Sequence, residues 1–168
     1  VPRVSIGVLV TCLGWRNPGI VAKMAENIDE ISEGRFILGL GAGWHQPEYE
    51  MFHLPWDQRF GRFKDSISII NPLLRTGRAD YEGEFFSATE ALNLPGGPRR
   101  AEGGPPILVG TNGPKTMRLA AQFADACNFG ASSNTGAIRG AEDVAHARTD
   151  ALPPARCAAT ASLQAQGN

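Results

Sequence analysis

A parallel α/β fold is predicted for this chain on three observations. The first 43 residues read as strand, amphipathic helix and strand; residues 105–129 read as strand, turn, helix and strand; and glycines directly follow a buried strand in both stretches. Strands joined by a helical crossover run parallel. A glycine-rich turn at the end of such a strand lets the backbone approach a ligand closely.

Residues 4–10 are almost continuously apolar, as suits a parallel strand covered on both faces. Asn17 is the expected N-cap of the first helix, with Pro18 at its first position and Ile20, Val21, Met24, Ile28 and Ile31 at helical spacing. Gly34 suits a left-handed C-cap, and Phe36 to Leu40 is the next short strand. Residues 47–52 suit a brief helix. A longer one is expected over about 58–74, N-capped by Asp57, with Phe60, Phe63, Ile67, Ile70 and Leu74 on one face and an early kink or end at Pro72. Residues 76–104 are irregular, with a small hairpin expected at 81–86 before a Pro/Gly-rich loop. Ile107 to Val109 is a buried strand, residues 114–123 a helix and 126–129 a strand. From Gly130 onward no aromatic residue occurs and alanine dominates. Residues 141–151 suit a short helix stopped at Leu152-Pro153-Pro154, and the Ala/Gln/Gly end reads as disordered. The expected division is therefore 1–130, folded, and 131–168, an atypical Ala-rich tail.

Sixteen basic residues against 17 acidic ones leave a net charge of −1, which gives no electrostatic basis for binding nucleic acid or an anionic membrane. Apolar runs are broken by Gly, Pro or charge before a spanning length, so a cytoplasmic protein is expected. Cys12, Cys127 and Cys157 are widely spaced and odd in number, so neither a disulfide framework nor a metal site is predicted. Cys12 and Cys127 fall at strand ends, as small apolar filler or as thiols lining a pocket.

Two loops carry candidate chemistry. Gly110, Thr111, Asn112 and Gly113 follow a strand and open a helix at Pro114, so helix N–H groups and the dipole converge where a phosphate can sit, with Lys115 or Arg118 for charge. The competing reading is an ordinary strand-to-helix turn. Gly39, Gly41 and Gly43 invite a dinucleotide reading, but residues 44–47 (Trp-His-Gln-Pro) intervene where a long helix should begin at once. His45 is the candidate proton-transfer group, with Glu48 and Tyr49 near enough to share its site. A surface or helix-capping histidine is the alternative. Trp44 and Trp15 are candidate pocket walls.

In chain order these motifs resemble the luciferase-like monooxygenase family, especially its branch using the deazaflavin coenzyme F420. The resemblance covers residues 1 to about 130. Residues 4–12 look like that family's third barrel strand, Asn17 to Ile31 its following helix and Gly34 to His45 the fourth strand and loop. Residues 105–114 look like the fifth strand and phosphate loop, and 123–128 the sixth strand. The implied fold is a partial (β/α)8 TIM barrel of about four parallel strands, incomplete at both ends, since a whole barrel needs about 250 residues. The tail departs from the family after about residue 150, as a truncation or shifted frame would produce.

The resemblance implies a flavin- or deazaflavin-dependent oxidoreductase or monooxygenase acting on a small organic substrate, with coenzyme F420 as cofactor and FMN as the alternative. It implies ring contacts at Gly41, Ala42 and Gly43, and at Thr11 and Cys12, where the family places a strained bulge; a non-prolyl cis bond is expected at Val10-Thr11 or Thr11-Cys12. Substrate would enter beneath residues 76–104. Two other readings stand beside this one: a non-catalytic or degenerate fragment, with homodimerisation across open sheet edges, and a phosphosugar-binding barrel enzyme without flavin.

Overall fold

The computed structural model describes residues 3–129, so the expected tail, its helix and Cys157 lie outside the described residues. In chain order the elements are β1 (Ile6–Gly7), β2 (Thr11–Cys12), α1 (Pro18–Ile31), β3 (Phe36–Gly41), α2 (Gln46–Met51), α3 (Arg59–Arg75), β4 (Arg78–Tyr81), β5 (Ala88–Leu92), β6 (Ile107–Thr111), α4 (Pro114–Phe123) and β7 (Ala126–Phe129). β1 and β2 both pair in parallel with β3, which pairs with β6, which pairs with β7. This is an arc of a (β/α) barrel with four strand positions, the first one split in two. No helix among the described residues is long and apolar enough to cross a membrane.

Alternation along β3 and β6 sorts their side chains. Leu38, Leu40, Ile107 and Val109 are at most 3% exposed and share one core with Phe63, Ile67, Ile70 and Leu74 of α3. Gly39, Gly41 and Gly110 alternate with them and face the opposite side, where the Val10 side chain lies against all three. Any side chain at Gly41 would meet Val10 at 2.6 Å.

Several expectations hold locally. The Asn17 Oδ1 accepts from the backbone N–H of Gly19 (2.9 Å) and Ile20 (3.3 Å), whereas α1 is C-capped by Ser32 and the first left-handed residue after it is Glu33 at φ 54°, one before Gly34 at φ +78°. Others need correction. The strand over 4–10 is not covered on both faces: Val4, Ile6, Val8 and Leu9 are 42–64% exposed, and β1 itself is only Ile6–Gly7, paired with β3 alone. The cis bond lies at Leu9-Val10, one residue before the expected place. Pro72 sits inside α3 without ending it, with Leu73 and Leu74 buried beyond it. The α3 N-cap is Gln58, left-handed at φ 56°, rather than Asp57. Residues 82–87 are the turn of a larger hairpin formed by β4 and β5.

The largest correction concerns α1. Its buried face is Val21, Ala22, Ala25, Glu26 and Asp29, while Ile20, Met24 and Ile31 are 60%, 51% and 82% exposed. Small alanines allow close packing, and the two carboxylates are neutralised from a distance: Arg99 pairs with Asp29 at 2.6 Å, and Arg100 pairs with Glu26. Arg99 also donates to the carbonyl of Phe36, where β3 begins. Residues 93–104 thus bind the end of the sheet where strands start. The hairpin lies along α3, with the Asp65 carboxylate accepting from the Tyr81 hydroxyl (2.8 Å) and the Phe85 N–H (2.8 Å). The 76–104 excursion therefore does not cover the strands' carboxyl ends.

Candidate functional site

At those carboxyl ends a cavity of about 540 Å3 opens between the two glycine-rich loops. From the β3 side it is lined by Gly41, Ala42, Gly43 and Trp44, and from the β6 side by Gly110, Thr111, Asn112 and Gly113. Both loops leave adjacent parallel strands in the same direction, so β3–β6 pairing brings them together over some 70 residues of sequence. α4 begins there, with Gly113 as N-cap, and its first N–H groups have no acceptor within the helix. Arg59, Phe60 and Lys115 add two cations and an aromatic ring.

A second cavity of about 300 Å3 adjoins the first, sharing Val10, Gly43 and Trp44, and adds Leu9, Cys12, His45, Glu48 and Tyr49. His45 and Glu48 are brought together here, and their side chains make no hydrogen bond to each other among the described residues; the imidazole lies 5.1 Å from the Trp44 ring. Trp44, 69% exposed, walls both cavities. No residue of 76–104 lines either one.

Thr11 is not brought to the site. It lines a separate apolar groove of about 340 Å3 between β1 and α1. Neighbouring side chains on an extended chain point oppositely, so Val10 on the inner face sends Thr11 away. Trp15 lines neither cavity and packs behind Tyr49 at 5.8 Å, edge to face. The sequence reading missed Val10, Arg59, Phe60 and Asn128, all of which line the larger cavity. Arg59 is the first residue of α3, the start of a helix being a position from which barrel helices reach the strand ends, and this is the available signal. Cys127 is buried filler in β7, whereas Cys12 lines the smaller cavity.

Tyr49 is 1% exposed, and its hydroxyl donates to the Ala42 carbonyl (3.1 Å) and meets the Cys12 Sγ at 3.0 Å. Burial, and next the hydrogen bond with Cys12, raises its pKa above the ordinary tyrosine value. Because the folded value is the raised one, the stability it contributes is complete below the unfolded pKa of about 10 and is lost as pH rises beyond it. Thermal midpoints measured upward from pH 9 should fall, and Tyr49→Phe should flatten the fall; an equal slope in the variant would contradict this.

An arc of parallel strands with two glycine-rich loops meeting at its carboxyl ends defines part of a barrel with its candidate site at the strand ends. The sequence profile of the luciferase-like monooxygenase family matches residues 2–165, and the chain belongs to that family. It is 38% identical over 113 residues to the pyrimidine monooxygenase RutA of Methylorubrum extorquens, covering 64% of this chain and 30% of that protein. The chain thus spans about a third of the length of the curated relatives it matches. Among solved structures, an F420-dependent secondary alcohol dehydrogenase in complex with an F420-acetone adduct superposes with a TM-score of 0.70 at 19% identity, over 93% of this chain and 48% of that one. The oxygenating constituent of 3,6-diketocamphane monooxygenase of Pseudomonas putida, in complex with FMN, gives 0.63 at 19% identity, over 89% and 46%. These two likenesses concern the fold.

Proposed function

We propose that this chain forms the cofactor-binding part of a flavin-dependent monooxygenase, with FMN in the larger cavity and a small organic substrate in the smaller. The observation that carries this reading is the single cavity joining Gly41, Ala42, Gly43 and Trp44 to residues 110–113, flanked by Arg59 and Lys115. The residues fit such a cofactor. Gly41 and Gly110 leave a flat wall backed by Val10, and a Cβ added at Gly113 meets nothing within 4 Å, so room remains beside the α4 N-terminus. Residues 110–113 and the first turn of α4 would hold the phosphate by N–H groups and dipole, with Lys115 and Arg59 supplying charge. Gly41, Ala42, Gly43 and Trp44 would hold the ring.

The cofactor supplies the redox chemistry when bound. The chain orients the ring against the smaller cavity, where His45 and Glu48 stand as candidate proton-transfer groups at the imidazole and carboxylate. FMN is favoured over F420 because the relative at 38% identity is named a monooxygenase, and oxygen chemistry belongs to flavins. That relative's name also offers a pyrimidine as the substrate to try first.

F420 is the second reading, supported by likeness to the F420-dependent alcohol dehydrogenase. Titration with FMN, F420 and ribose 5-phosphate, followed by fluorescence and thermal stabilisation, separates the readings. FMN is expected to bind at ~10 μM or tighter and to raise the melting temperature, since a ligand tenfold above its Kd adds about 1.4 kcal/mol. Binding of the sugar phosphate alone would overturn the flavin reading. Failure of all three to bind would leave a fragment that holds no cofactor.

A further inference from the structure

The Tyr49 hydroxyl joins two backbone segments, residues 12–14 and 42–43, at one point. It contacts the Cys12 Sγ at the end of β2 and donates to the Ala42 carbonyl beyond β3, and a Cβ at either Gly14 or Gly43 would come within 2.3 Å of that oxygen. The Ala42 carbonyl can only accept from the phenol, and the Cys12 Sγ lies 3.0 Å from the same oxygen, where either atom could be the donor. Trp15 at 5.8 Å and Trp56 at 5.1 Å hold the ring edge to face.

The peptide between Ala42 and Gly43 is trans, so its N–H points opposite to its C=O. With the carbonyl fixed on Tyr49, which lines the smaller cavity and not the larger, the Gly43 N–H is aimed the other way. Ala42 and Gly43 both line the larger cavity, and Gly43 is held at φ +83°, where a larger residue would be strained.

We propose, on the reading that a flavin-type ring occupies the larger cavity, that Tyr49 is a positioning residue whose hydroxyl presents the Gly43 N–H to the polar edge of that ring. Tyr49 touches no cofactor itself. It acts through one peptide plane, and it couples the β2 and β3 walls of the site to each other.

The test combines Tyr49→Phe with observation of the Gly43 amide in 15N-labelled chain. On adding FMN to the wild-type chain, the Gly43 amide proton should move downfield. Tyr49→Phe should bind FMN roughly tenfold more weakly, the equivalent of one lost hydrogen bond, and the visible absorption of its bound FMN should shift toward that of free FMN. Wild-type chain that binds FMN without moving the Gly43 amide would overturn the positioning role alone, as would Tyr49→Phe with unchanged affinity and spectrum. Wild-type chain that binds no FMN would overturn this role together with the flavin reading. The amide measurement needs no variant, so a Tyr49→Phe chain that does not fold leaves the test intact.

Discussion

Asp29→Ala is expected to destabilise the fold by about 3–5 kcal/mol, the usual cost of removing one partner from a buried ion pair. The Asp29 side chain is fully buried, and its Oδ1 accepts from both the Nε (3.0 Å) and an Nη (2.6 Å) of Arg99, whose side chain is 20% exposed. Alanine leaves that guanidinium with the Phe36 carbonyl as its remaining acceptor, inside a site too enclosed to hydrate it fully. Most of the cost is therefore desolvated positive charge, and little of it is lost attraction. Asp29→Leu combined with Arg99→Leu should recover much of the loss, because a well-packed apolar pair does not carry that charge. Adding Glu26→Ala should cost less than the two single changes summed, since both carboxylates hold the same segment. Chemical denaturation midpoints give all of these values. A loss under 1 kcal/mol for Asp29→Ala would mean that residues 93–104 are anchored by something else.

The same change should leave FMN affinity in the folded protein nearly unaltered. Arg99 and Arg100 bind where β3 begins, whereas the candidate site lies where β3 and β6 end. In barrel folds the strand starts serve stability and the strand ends serve chemistry. Asp29 belongs to the first group.

That lock also shows what the sequence could and could not reveal. Asn17 and Pro18 announce the start of α1 because capping depends on residues a few positions apart, and the structure keeps both, while at the other end Glu33 takes the left-handed position expected of Gly34. Which side of α1 is buried was not legible. Ile20, Met24 and Ile31 look like the core stripe, and Glu26 and Asp29 look like solvent; the arginines that reverse this lie some 70 residues away. The two site loops were legible because each sits directly after its own strand. Their meeting in one cavity depends on β3–β6 pairing, which no local pattern encodes. Thr11 and Val10 show the limit most sharply: the right segment was identified, but side chains alternate, and an error of one residue selects the wrong face.

Gly113→Leu should weaken FMN binding about a hundredfold while changing stability by at most about 1 kcal/mol. The backbone at Gly113 is extended, with φ −171° and ψ 171°, so leucine adopts it without strain, and a Cβ there meets no atom within 4 Å. The Gly113 carbonyl continues to accept from the Met117 N–H (3.1 Å) and the Thr116 hydroxyl (3.0 Å), so the start of α4 persists. Loss of glycine at the N-cap accounts for the small stability term. The space the leucine fills is that beside the first N–H groups of α4. Two hydrogen bonds from those groups to a phosphate dianion, at about 1.5 kcal/mol each, give about 3 kcal/mol, or roughly a hundredfold in affinity. Riboflavin, which has the ring without the phosphate, provides the decisive comparison. Wild-type chain should prefer FMN to riboflavin, and Gly113→Leu should abolish that preference by weakening FMN alone. Equal binding of the two by the wild-type chain would mean that the cavity holds the ring and that residues 110–113 are an ordinary strand-to-helix turn.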